Sequence, residues 1–122
     1  VGLSGRKIEE QLLATGYIDS ELKELHYDHS KHLVTMKYWG KSDEEAEERE
    51  YTIFFKECFL ANFNTWLKGV EGAIPNSPSE QAFFIQDISI GEIEVNGVQL
   101  YECKMIIPMM DCQITCKSIA IN

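Results

Sequence analysis

SELKELHYDHSKHLVTMKYWG, residues 20–40, decides the fold, because a hairpin and a helix give its histidines opposite meanings. His26, His29 and His32 are the only three histidines of the chain, evenly spaced around Asp28. On a helix the i, i+3 and i+6 positions lie near one another, a spacing that suits a metal or catalytic cluster. The intervening residues, His, Tyr, Asp and Ser, are indifferent helix formers, whereas ELKELHYD and HLVTMKYW have strand composition around a polar centre. The reading is therefore a hairpin that ends at Gly40.

Loop length then fixes which side chains share a face, because antiparallel partners have a constant index sum. A two-residue loop at His29 and Ser30 sets Tyr27 opposite His32 and Leu25 opposite Val34. Leu25, Tyr27, Val34, Met36 and Tyr38 then form one apolar face, with His26 on the side away from His32. A three-residue loop would gather His26, Asp28 and His32, but it would mix them with Val34, Met36 and Tyr38. The first register separates apolar from polar residues better. The histidines are expected in a solvated turn, with no metal, cofactor or catalytic residue assigned.

Working outward, Ser4 can cap a helix over Arg6–Ala14, with Ile8, Leu12 and Leu13 on one side and Gly16 as its stop. Beyond Gly40, KSDEEAEERE holds six acids, Asp43, Glu44, Glu45, Glu47, Glu48 and Glu50. Like charges this dense repel, so a mobile loop or frayed helical turn is expected. YTIFFKECF reads as a third strand. In LANFNTWLKG, Phe59, Phe63, Trp66 and Leu67 fall at i, i+4, i+7 and i+8, which predicts a short second helix ended by Gly69 and Gly72. AIPNSPSEQ is a loop by its prolines.

From Ala82 onward the pattern is again strands: AFFIQDISI, GEIEV, VQLYECKMII and, after Pro108, Cys112–Ile121. Asn96-Gly97 marks a type I′ hairpin turn. The whole is one α+β domain spanning residues 1–122, with six to seven strands in a largely antiparallel, strongly curled sheet or a sandwich, and one or two short helices.

Composition bounds the function. Twenty acidic against eleven basic residues give a net charge of −9, which disfavours nucleic acid and anionic membrane surfaces and favours a basic protein partner. No apolar run approaches the ~20 residues of a membrane span, and VGLSGRKIEEQLLATG lacks an export-signal layout, so a cytoplasmic protein is expected. Cys58, Cys103, Cys112 and Cys116 lack C-x-x-C spacing and read as buried, reduced thiols. Phosphate loops, nucleophile elbows and H-E-x-x-H patterns are absent, and Asp87 with Glu92 reads as strand-edge carboxylates rather than an acid–base pair.

LKELHYDHSKHLVTMKYWG followed by REYTIFFKECFLANFNTW resembles small acidic bacterial proteins of unassigned function. Some of these are similar to immunity proteins, encoded beside secreted toxins that they neutralise by binding. The resemblance implies a non-catalytic binding module and carries over no functional residue; from the charge run itself, Asp43, Glu44, Glu45, Glu47, Glu48 and Glu50 are the acids that would steer a basic partner. The alternative is a small-molecule-binding domain or enzyme whose pocket is lined by Phe54, Phe55, Phe59, Phe63 and Trp66. A third reading pairs strand edges in a homodimer.

Overall fold

The computed structural model describes residues 4–40, 47–65, 83–108 and 110–122. Its elements are α1 (Gly5–Leu13), β1 (Ser20–Asp28), β2 (Leu33–Gly40), β3 (Arg49–Thr65), β4 (Phe84–Ile85), β5 (Asp87–Val95), β6 (Val98–Ile107) and β7 (Met110–Ile121). The strands form one antiparallel sheet in the order β4-β1-β2-β3-β7-β6-β5.

The deciding stretch is a hairpin, in a third register. Asp28 faces Leu33, Tyr27 faces Val34 and Leu25 faces Met36, so the loop holds four residues, 29–32, rather than two or three. Adding two residues to the shorter loop preserves the parity, and the expected apolar face survives. Val34, Met36 and Tyr38 are fully buried, with Leu25 and Tyr27 packed against the same core. Asp28 explains the longer loop. Its carboxylate accepts hydrogen bonds from the Ser30 amide at 3.0 Å, the Ser30 hydroxyl at 2.7 Å and the Lys31 amide at 3.2 Å. Such a side-chain turn competes well with a tight two-residue reversal.

β4 and β5 are one extended run interrupted at Gln86. Its first end pairs with β1 (Ser20 with Ile85, Glu21 with Phe84), and the rest pairs with β6. Gln86 itself donates its amide to the Ile106 carbonyl at 2.9 Å. One run of chain thus touches both ends of the sheet and curls it toward a barrel.

α1 lies against the part of β5 that β1 does not reach. Ser4 caps it by accepting from the Lys7 amide at 3.2 Å, and the chain leaves through Gly16 at φ 69°. Ile8 and Leu12 enter the core, whereas Leu13, expected beside them, faces solvent. At about 100° per residue Ile8 and Leu12 share one stripe, whereas Leu13 stands well round the helix from both and off the side that meets the core. Two amides of β5 are satisfied from this segment: Ile88 donates to the Tyr17 hydroxyl at 3.1 Å and Ile90 to Glu9 Oε1 at 2.7 Å. Thr15 and Tyr38 hydroxyls meet at 2.6 Å, with Thr15 also donating to the Leu12 carbonyl at 2.6 Å. Gly40 permits this approach, because a Cβ there would collide with the Thr15 carbonyl.

The second predicted helix is not formed over Phe59–Thr65, which continues β3 as a strand of 17 residues. Positions four apart are even steps of a strand as well as one helical face, so Phe59 and Phe63 fit both periods. Residue-by-residue pairing of Leu60–Thr65 with Met110–Thr115 on β7 settles the choice. Trp66, Leu67, Gly69, Gly72 and the AIPNSPSEQ loop lie outside the described residues, among which α1 is the only helix. Asn96 and Gly97 form the expected tight turn, with φ of 52° and 80°.

Candidate functional site

The start of β1, the end of β2 and β4 meet at one end of the sheet. Strand parity dictates what they present there. Tyr38 points inward, so Trp39 points out and remains 40% exposed, with Glu50 as its partner across β3. Ile85 is fully buried, so Phe84 beside it faces out at 45% exposure, and Ile18 joins them at 54%. These three apolar side chains line an open concavity of about 660 Å³ together with the carboxylates of Asp19, Glu21 and Glu48.

Asp19 is held in place from two directions. Its amide donates to the Ile85 carbonyl at 2.8 Å, and Gln86 Nε2 donates to its Oδ1 at 3.0 Å. Its backbone is left-handed, φ 64°, a conformation that aspartate tolerates better than most residues. Lys23 is the cation of the concavity and is paired with Glu21 at 3.0 Å. Among the described residues, three carboxylates against one ammonium leave the face negative. The Ser20 hydroxyl donates to the Gly16 carbonyl at 2.9 Å. Among the described residues, no histidine or cysteine lines the concavity. Its chemistry is that of an adhesive surface: bulky apolar groups for contact area, ringed by negative charge.

The acids singled out in the sequence divide. Glu48 lines the concavity, Glu50 stands across from Trp39, and Glu47 is exposed nearby in the chain. Asp43, Glu44 and Glu45 lie outside the described residues. The histidines sit at the other end of the hairpin. His26 Nδ1 is 2.8 Å from Glu24, His32 Nδ1 is 3.1 Å from the Tyr27 hydroxyl, and the His29 ring is centred 4.7 Å from that of Tyr27. Among the described residues, no three His, Cys, Asp or Glu side chains gather as metal ligands would.

The aromatic residues of the alternative reading do not converge either. Phe55 is fully buried while Phe59 is 67% exposed, and Trp66 lies outside the described residues. All four cysteines are free and buried. Burial holds the Cys103 thiol well above its ordinary range and pushes Cys112 up to about 12. Cys58 departs from them, its pKa lowered by a hydrogen bond from the Cys116 thiol.

Residues 4–122 match the family of immunity protein PIM7. The chain belongs to this immunity-protein family. No curated protein matches it. Membership in the PIM7 family bears out the immunity-protein resemblance seen in the sequence and supports a protein-binding role. In this PIM7-family chain the sequence pointed to the acids and missed Ile18, Trp39 and Phe84. For Trp39 the signal was available: a hairpin that buries Val34, Met36 and Tyr38 must turn Trp39 outward. No described helix is long and apolar enough to cross a membrane.

Proposed function

We propose that this chain is a non-catalytic inhibitor that acts in the cytoplasm by binding a basic toxin protein. The observation that carries the reading is the concavity where Trp39, Phe84 and Ile18 stand exposed among Asp19, Glu21 and Glu48. Large aromatic side chains at the centre of a contact supply most of its energy, and a negative rim speeds encounter with a positive partner. The acids Asp43, Glu44, Glu45, Glu47 and Glu50 would extend that field, and the net charge of −9 has the sign that a basic partner requires.

The test is binding to a basic toxin captured by pull-down from the source cell, followed in real time at several salt concentrations. Trp39→Ala should weaken the complex by about 10- to 100-fold, mostly by faster dissociation. Glu48→Gln with Asp19→Asn should slow association several-fold at low salt and converge with the parent chain at high salt. An association rate flat across ionic strength, with affinity unmoved by Trp39→Ala, would exclude this face as the site.

A further inference from the structure

β3 carries a bulge between Cys58 and Leu60, next to Glu57 at φ 53°, a left-handed conformation that is unusual for glutamate. The Cys58 amide leaves the β7 ladder and donates to the carbonyl of His32 at 2.9 Å, and His32 is itself left-handed at φ 51°. Two irregular backbone positions therefore meet at one thiol. Cys58 lines an open groove of about 610 Å³ beside Lys31, His32 and Lys117, with Tyr27 and Phe59 as further walls. Glu57 is the opposing carboxylate in a groove that otherwise concentrates positive charge on a strongly acidic chain.

Cys58 stands directly opposite Cys116 on β7. Directly opposed antiparallel residues have Cα atoms roughly 4.5–5.5 Å apart, inside the range that a disulfide spans. The other two cysteines are not so placed, since Cys103 faces Ile114 and Cys112 faces Met105. As a neutral thiol Cys58 donates to the Phe55 carbonyl at 3.0 Å. The adjacent Cys116 thiol lowers the pKa of Cys58 while burial opposes that, and the same contact with burial holds the Cys116 thiol above its ordinary range, so Cys58 is the attacking sulfur of the pair.

We propose that Cys58 and Cys116 form a thiol–disulfide exchange site, in which Cys58 reacts with an anionic low-molecular-weight disulfide of the glutathione type and Cys116 resolves the product. In the first step the Cys58 thiolate attacks one sulfur of the disulfide, forming a mixed disulfide and expelling one thiolate. In the second, Cys116 loses its proton and attacks Cys58 Sγ, releasing the second thiolate and closing a bond between β3 and β7. The protein dithiol loses two electrons and two protons, and the small disulfide gains them as two thiols. Lys31 and Lys117 would draw in the carboxylates of the reagent.

The test incubates the folded, reduced chain with oxidised glutathione, followed by intact mass and peptide mapping. The expected product has lost two hydrogens and carries a Cys58–Cys116 crosslink, with Cys103 and Cys112 still alkylatable after unfolding. Cys116→Ala should stop at one glutathionyl group on Cys58. Lys31→Gln with Lys117→Gln should slow the reaction several-fold with glutathione disulfide and leave it nearly unchanged with uncharged hydroxyethyl disulfide. No reaction of the folded parent chain, or adducts spread over all four cysteines, would overturn the proposal without reference to any variant.

Discussion

The two ends of the β1–β2 hairpin are built from the same strands and carry opposite chemistry. One end exposes Trp39, Phe84 and Ile18 among carboxylates; the other gathers Lys31, His32 and Lys117 around Cys58. They are roughly 20–25 Å apart at ~3.3 Å per residue along β2, beyond a Debye length of ~8 Å in physiological salt, so each keeps its own sign of field. Between them runs a shared apolar face of Val34, Met36 and Tyr38. The strands act as a rigid spacer, and irregular backbone is found at either end: Asp19 at one, His32 and Glu57 at the other, all with positive φ.

The sharpest way to break this separation is to strike what the ends share. Met36→Ala leaves a cavity in the centre of the core and should cost about 2–5 kcal/mol, read as a lower midpoint of denaturant unfolding. Both ends should loosen together in hydrogen exchange. If only one end responds, the common core is not what couples them.

Alkali should act next most strongly, through Tyr38. Burial pushes its phenol up to about 12 from 10.0, despite the hydrogen bond with Thr15. A folded-state value above the unfolded one means that the stabilisation is intact below pH ~10 and is lost as pH rises toward 12, on the order of 2–3 kcal/mol in all. Tyr38→Phe should flatten that slope. At neutral pH it should cost only ~0.5–1.5 kcal/mol, since Thr15 retains the Leu12 carbonyl as a partner.

Trp39→Ala separates the ends in the opposite manner. It should change folding stability by less than ~1 kcal/mol, as a half-exposed strand-end residue does, while weakening the proposed complex. The smallest effect is reserved for Asp28→Asn. The Ser30 and Lys31 hydrogen bonds hold the Asp28 carboxyl below its usual range, so its contribution is present above the ordinary carboxylate pKa and fades as pH falls through the lowered one. Faster amide exchange at Ser30 and Lys31, with an unshifted melting temperature, is the expected reading. A shift at Trp39 would contradict the independence of the two ends.

How much of this was legible follows the length of the interactions concerned. The hairpin, its inward face and the Asn96-Gly97 turn depend on neighbours in sequence, and parity survived even though the loop length was misjudged. The missed loop length came from the Asp28 side chain, whose three hydrogen bonds stabilise a longer turn than composition suggested. The second helix was misread because spacing at i and i+4 is shared by both periods, and only the distant partner β7 decides between them. The candidate face was half legible. Its acids stood out as a charge run, but Phe84 comes to Ile18 and Trp39 through pairing of β4 with β1 across more than 60 residues, which no local pattern records.

The N-terminal segment also shields the outer edge of the sheet. Through Tyr17 and Glu9 it occupies main-chain donors that would otherwise invite a foreign ribbon onto the flank of β5. A chain shortened past Tyr17 should therefore lose the core packing of Ile8, Leu12 and Tyr17 and also self-associate, laying one copy's bare flank against another's.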